Sequence, residues 1–208
     1  RQVGSPFPAI CYNGSFIHDF STQRDLWHIH MPERVCRRII SLSLESDAAL
    51  HVFMDHTLYY TNKGRTADYL DPDSWNAGEV IDFRTMEKFT FTKAMFIGPY
   101  EETERIRRIL HDEFGNTLHM VYSHDDYFEI MSGGATKGSA LARLMEMYGI
   151  DRKEVMAFGD ADNDKEMLTW AMYSFAMGNA HDTVKSVASG TTEHHDDHGV
   201  ANKIQQIL

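Results

Sequence analysis

Residues 158–164 read Phe-Gly-Asp-Ala-Asp-Asn-Asp, directly after the apolar run Val155–Phe158, VMAF. A short unbroken apolar run of this kind suits a strand buried on both faces of a parallel sheet. The Gly-Asp that follows then lies at the carboxyl end of that strand, where open α/β sheets place their ligand sites. The segment sets Asp160, Asp162 and Asp164 side by side with Asn163. Clustered carboxylates repel one another and call for a counter-charge. A hard cation such as Mg²⁺ supplies one through oxygen ligands. A second reading remains open, in which Asp162 or Asn163 caps the helix that follows.

Outward from this segment, strand and helix patterns alternate. Upstream, Lys137–Tyr148 predicts a helix with Leu141, Leu144, Met145 and Tyr148 on one side and Gly149 closing it. Thr136-Lys137-Gly138 opens that helix near Gly133 and Gly134. A lysine at a helix N-terminus meets an anion with both charge and backbone N–H groups, although a lone surface lysine is the commoner case. Downstream come a helix over 163–171, a strand over 173–177 ending in Met177-Gly178-Asn179-Ala180, a helix over 184–188 and a terminal helix from Val200 to Leu208. This β–α–β–α order predicts a doubly wound sheet. Near the start, Phe7–Tyr12 reads as a buried strand running into an Asn13-Gly14 turn, with Phe16–Asp19 as the second arm of a hairpin.

The middle of the chain reads differently. A helix begins near Pro32, strands are expected over 51–60 and 92–97, an amphipathic helix over 101–114, and two strands over 117–123 and 126–131; residues 64–76 are helix or loop. The organisation expected is an α/β core from residues 1–19 and 132–208, with residues 20–131 inserted as a separate α/β module.

Composition excludes several classes. Twenty Lys and Arg against 31 Asp and Glu give a net charge of −11 over 208 residues. That balance disfavours nucleic acid and anionic membrane surfaces as partners. Two cysteines, Cys11 and Cys36, rule out a disulfide scaffold. No apolar run is long enough to span a bilayer and nothing reads as a signal peptide, so a reducing cytoplasm is the default expectation. A monomer or homodimer is expected.

GATKGSAL (134–141), VMAFGDADNDKEML (155–168), FAMGNA (175–180) and HGVANKI (198–204), taken in order, resemble the C-terminal part of haloacid-dehalogenase-superfamily phosphatases. The likeness is to the Cof-type subfamily with a class IIB cap. AICYNGSFIHD (9–19) is similar to that family's strand after its second motif, and residues 20–131 occupy the position of its cap. The resemblance runs through the whole chain, by motif at the C-terminal end and by pattern in the middle. It implies a Rossmann-like parallel-sheet core with an inserted α/β cap. It also implies Mg²⁺-dependent hydrolysis of small phosphorylated metabolites, such as sugar phosphates or phosphorylated cofactors, through an aspartyl-phosphate. Phosphoryl transfer in a sugar phosphomutase is the sister activity. Lys137 would be the catalytic cation on the phosphoryl group, Asp160 a Mg²⁺ ligand and Asp164 a support of the metal shell. Asn163 would contact phosphate, with Asn13, Gly14 and Asn179 bordering the site.

The family's nucleophile stands in an Asp-x-Asp motif after an N-terminal strand. The pairs present here are Asp71-Pro72-Asp73, with no apolar strand before it, and Asp160-Ala161-Asp162, which runs on into Asp162-Asn163-Asp164 in the same loop. The expectation is that the nucleophile belongs to a further N-terminal segment and that this chain by itself does not turn over. An inactive fragment or a phosphate-binding module is the alternative. The run Glu193-His194-His195-Asp196-Asp197-His198 is read as a solvated loop before the last helix in preference to a Zn²⁺ or Ni²⁺ site. His28, His30, His51 and His56 lie along predicted strands, as substrate contacts or half-buried residues. The 12 methionines are read as packing and Cys11 as a buried, inert thiol.

Overall fold

The computed structural model describes residues 7–54, 56–61, 66 and 78–207. The chain divides into two compact units, one made of residues 1–26 and 136–208, the other of residues 27–135.

The first unit begins with a hairpin. Strands β1 (Ala9–Cys11) and β2 (Phe16–Asp19) pair antiparallel, Ala9 opposite His18 and Cys11 opposite Phe16. The reversal is one 3₁₀ turn over Tyr12–Gly14, in which Tyr12, Asn13 and Gly14 all take positive φ. Asn and Gly at such positions are the residue types with the smallest steric penalty there. Strand β3 (Arg24–His28) completes a three-stranded sheet in the order β1-β2-β3 and carries the chain across the unit boundary. Cys11 is half-buried, not fully enclosed as its sequence predicts, and burial still pushes its thiol pKa up.

The second unit is built on a six-stranded sheet with two helices. The helices are α1 (Glu33–Leu44) and α2 (Tyr100–Phe114). The strands are β4 (Ala49–Met54), β5 (Thr57–Tyr60), β6 (Glu79–Val80), β7 (Lys93–Ile97), β8 (Leu118–His124) and β9 (Tyr127–Ser132), in the spatial order β6-β5-β4-β7-β9-β8. Register decides which residues share a face. Val52 lies opposite Ala94 and Ala94 opposite Ile130, while Leu50 faces Phe96 and Phe96 faces Phe128. These apolar residues form one core with Val35, Ile39, Ile106 and Leu110 from the helices. The other face carries His51, Lys93, Met95 and Glu129, all buried, with Lys93 Nζ 3.2 Å from Glu129 Oε1.

The expected single strand over 51–60 is instead two. Met54 pairs with Thr57, and His56 sits at φ 66° in the reversal. No Gly or Pro marks that turn in the sequence, and His at positive φ is the unobtrusive substitute. His56 therefore belongs to a turn, not to a strand face. The expectation for 64–76 falls, Thr66 apart, outside the described residues.

The chain then returns to the first unit through α3 (Lys137–Tyr148), opened by a reciprocal cap between Thr136 and Ser139 and closed by Gly149 at φ 65°. Strands β10 (Met156–Gly159), β11 (Tyr173–Ala176) and β12 (Gly190–Thr191) form a parallel sheet separate from the hairpin sheet. Helices α4 (Lys165–Trp170), α5 (Asp182–Lys185) and α6 (Gly199–Ile207) complete the unit. Its core joins Val155, Ala157, Leu168, Ala176 and Val184 to Leu141 and Met145 of α3. The helix expected over 163–171 starts later, after a 3₁₀ turn over Asp162–Asp164, and the one expected over 184–188 is a single turn at 182–185. Among the described residues no helix is long and apolar enough to cross a membrane.

The buried imidazole of His51 gives the second unit a pH dependence. His51 has no exposed surface, and burial, reinforced by the charge of Lys93, lowers its pKa to about 4. Unfolded, the ring protonates near its ordinary value of about 6.5. As pH falls below that value the unfolded chain gains a proton that the folded chain does not, so stability is full above it and is lost toward pH 4. We expect unfolding free energy to drop by about 2 kcal/mol between pH 7.5 and 5 from this group. Urea denaturation of the protein and of His51→Leu checks it: the variant should lose that part of the pH slope, and an equal slope in both proteins refutes the assignment.

Candidate active site

The Asp160 loop leaves the carboxyl end of β10 and folds back at once. Asp164, only 4% exposed, accepts the backbone N–H groups of Asp160 and Ala161 on Oδ2, at 3.0 and 3.1 Å. This reach-back closes the loop before α4 begins. Neither Asp162 nor Asn163 caps the helix that follows; Asp164 holds the N-cap position, but its carboxylate bonds the loop before it and not the first turn of α4. Asp162 points to the surface and pairs with Lys165 at 2.7 Å. That ammonium, with a smaller contribution from Thr183, holds the Asp162 carboxyl below the ordinary range. Gly159 makes the fold-back sterically available. A Cβ at residue 159 would lie 2.4 Å from the Asp164 Cβ, well inside contact distance.

The other Asp164 oxygen, Oδ1, accepts from Lys137 Nζ at 2.5 Å. Lys137 is the first residue of α3, and its position is fixed from the opposite side by the hairpin turn. Gly14, at φ 103°, packs so closely that a Cβ there would come within 2.0 Å of the Thr136 carbonyl oxygen. Next to it Asn13 Oδ1 accepts from Asn163 Nδ2 at 3.0 Å, a bond between residues 150 apart in the chain. From the end of β11, Asn179 Nδ2 donates to Asp160 Oδ2 at 2.7 Å, and Asn179 Oδ1 accepts the backbone N–H of His195 at 3.3 Å.

Lys137, Asp160, Asp164, Asn163, Asn13, Gly14 and Asn179 are therefore tied into one cluster inside the first unit. Sequence reading singled out each of them, but not the bonds that join them. It missed Ser15, whose buried hydroxyl has no hydrogen-bond partner among the described residues. The signal available was its place directly after Asn13-Gly14.

The donor set suits a hard cation. Asp160 is exposed and offers a carboxylate, and the buried Asn163 Oδ1 has no hydrogen-bond partner among the described residues. A buried acceptor without a donor is costly unless a cation or another group completes it. Asp164 differs: one oxygen holds the ammonium and the other holds two N–H groups, so its charge is already matched. The cluster presents one ammonium, a helix N-terminus, an exposed carboxylate and a buried amide oxygen together, a combination that suits a phosphoryl group accompanied by a divalent cation.

The histidines singled out in the second unit have contacts within that unit. His28 Nε2 is 2.6 Å from Thr92 Oγ1, and its ring centroid is 3.9 Å from that of His30. His51 Nε2 lies 3.4 Å from Thr66 Oγ1. Cys36 is fully buried, which pushes its thiol up to about 11.

Comparison with known proteins bears on the whole chain. The model of the haloacid dehalogenase-like hydrolase family matches residues 1–204. An HMP-PP phosphatase of Enterobacter sp. (strain 638) is 33% identical over 174 residues, 82% of this chain and 62% of its own length. The 5-amino-6-(5-phospho-D-ribitylamino)uracil phosphatase YitU of Bacillus subtilis (strain 168) is 28% identical over 215 residues, 100% of this chain and 78% of its own length. A solved structure of a subclass IIB sugar phosphatase superposes with a TM-score of 0.83 at 18% identity, covering 96% of this chain and 75% of that one, and shows the fold. The chain thus spans between 62% and 78% of the length of these relatives. A family match over nearly all 208 residues, on a fold that a subclass IIB phosphatase shares, settles membership: the chain belongs to the haloacid dehalogenase-like hydrolases.

Proposed function

We propose that this chain carries the Lys137–Asp160–Asp164 half of a phosphomonoesterase site for small phosphorylated metabolites. The observation that carries the reading is the single carboxylate of Asp164. It binds the Lys137 ammonium with one oxygen and closes the Asp160 loop with the other. Two groups of opposite charge are thereby held ready for an anion and its counter-cation. Mg²⁺ held by Asp160, with the Asn163 carbonyl oxygen as an available donor, would offset charge on the phosphoryl oxygens. Lys137 binds those oxygens from the other side and stabilises the charge that develops as the ester bond breaks. Asn13 orients Asn163, and Asn179 orients Asp160.

The reaction in this reading is attack of an aspartate on phosphorus, release of the alcohol, and hydrolysis of the aspartyl-phosphate. Residues 71–73, 160–162 and 162–164 hold the Asp-x-Asp pairs of this sequence, and the last two overlap in the Asp160 loop. We assign the nucleophile to a segment outside these 208 residues, with no turnover by this chain alone. The unit of residues 27–135 is assigned as the cap that selects the leaving group. Relatives named as phosphatases of HMP-PP and of 5-amino-6-(5-phospho-D-ribitylamino)uracil support small phosphorylated metabolites as the substrate class.

Phosphate release from a panel of such esters, with and without Mg²⁺, tests the reading on this chain and on a version extended at its N-terminus. Turnover is expected in the extended protein alone. In that protein Lys137→Met should lower kcat by about 10²–10³-fold, the usual loss on removing a preorganised electrostatic group. Asp160→Asn should raise the Mg²⁺ concentration needed for half-activation. Turnover by this chain alone, or full activity of Lys137→Met, refutes the assignment of roles.

A structural prediction follows from the close approach behind Asp164. Gly159→Ala forces a methyl group into that carboxylate and should destabilise the first unit by about 1–3 kcal/mol, the usual range for overpacking. Hydrogen exchange at the amides of Asp160 and Ala161 reads it: both should exchange faster than in the parent protein. Unchanged protection would mean that the loop does not depend on Asp164.

A further inference from the structure

The loop between β12 and α6 holds side chains that the phosphatase reading leaves unused. One ring nitrogen of His194, one of His195 and one carboxylate oxygen of Asp196 all lie within 4.8 Å of one another. His194 Nδ1 is 3.3 Å from Asp196 Oδ2 and His195 Nδ1 is 3.0 Å from Asp196 Oδ1. The two imidazoles lie against each other with ring centroids 4.3 Å apart.

Adjacent polar residues come this close in many solvated loops, but the backbone of this loop is anchored at several points. Buried Thr192 donates its hydroxyl to the Gly199 carbonyl at 2.7 Å. The Glu193 carbonyl accepts from Gly178 N at 3.1 Å. The His194 carbonyl accepts from Asp197 N and Gly199 N at 3.0 and 3.3 Å, and Asn202 Nδ2 donates to the Asp197 carbonyl at 3.0 Å. Asp196 N–H donates to His194 Nδ1 at 3.2 Å, a bond that an ion on Nε2 would leave in place and an ion on Nδ1 would replace. His198, at φ 58°, closes the turn and stands outside the cluster.

The donor types narrow the choice of ion. Two imidazoles and a carboxylate suit borderline metals, whereas Mg²⁺ takes oxygen ligands and keeps much of its water. A tetrahedral Zn²⁺ site with bonds of about 2.0–2.1 Å has ligand atoms about 3.4 Å apart. A span of 4.8 Å reaches that spacing by side-chain rotation on the anchored backbone. With side chains 41%, 56% and 74% exposed, the remaining coordination positions face solvent, so binding is weaker than at a closed structural zinc site.

We propose that His194, His195 and Asp196 form a site for a borderline divalent transition cation, Zn²⁺ or Ni²⁺, distinct from the Asp160 loop. The backbone of His195 holds Asn179, and Asn179 holds Asp160, so an ion at this site stiffens the support of Asp160. The proposal stands without the phosphatase reading, because its test reads binding and not turnover.

Metal-stripped protein is titrated with ZnCl₂ in excess Mg²⁺, followed by calorimetry and by the imidazole NMR signals. One equivalent of Zn²⁺ should shift the His194 and His195 signals. The exposed double variant His194→Gln/His195→Gln should lower affinity for that equivalent at least tenfold, and Asp160→Asn should retain it. Unmoved His194 and His195 signals in the parent protein overturn the proposal without recourse to any variant. Equal affinity in the double variant, or loss of the event in Asp160→Asn, overturns it as well.

Discussion

The Asp164 carboxylate is the point on which the first unit's chemistry turns. A carboxylate that is almost fully buried must have its charge answered inside the protein. Asp164 meets that requirement with an ammonium from α3 and two N–H groups from its own loop. Each partner is fixed in turn by a different part of the chain. Lys137 begins a capped helix, and the loop amides follow β10, an edge strand of the parallel sheet. One desolvated charge therefore couples a helix start to a strand end. Loss of either partner would leave the other group uncompensated, so sheet, helix and loop are held in a common register by electrostatics as well as by packing.

This coupling also resolves a conflict in the composition. A chain with net charge −11 is a poor host for phosphate. Locally the balance is different. Asp162 is paired with Lys165 and Asp164 with Lys137, while the α3 N-terminus adds its own partial positive charge. Asp160 remains as an exposed carboxylate steadied by an amide, the state expected of a group that takes a metal ion. In the proposed phosphatase reading, an acidic protein thus keeps a place for an anion and a hard cation together.

The second unit divides its labour across a sheet. One face joins helices α1 and α2 in an apolar core, and the opposite face buries an imidazole and a Lys–Glu pair. Buried polar groups on a sheet face cost stability unless satisfied, and Lys93 with Glu129, joined by Ser123, meet that demand. The 0% exposure of His51 likewise ties this face to a neutral imidazole, which links the unit's stability to pH.

Much of this was legible in the sequence, and the division follows from what sequence patterns encode. Periodicity in 137–148 fixed a helix at its observed bounds, whereas VMAF marked a strand but not its setting: β10 runs over Met156–Gly159 at the edge of its sheet, with Met156 and Phe158 only half-buried. The alternation of types pointed to an α/β fold, and ordered motifs to the family. The reversal at His56 was not legible, since no Gly or Pro marks it, and neither was the role of Asp164 as loop closure, since four acidic or amide residues within five positions look alike on paper. Residue types and their local spacing, set by backbone periodicity, were the sequence's own to determine. Which carboxylate met the ammonium, which asparagine met Asn13 across 150 residues and how close Gly14 came to Thr136 were decided only by tertiary structure, because desolvation and contact depend on distances that chain order does not contain.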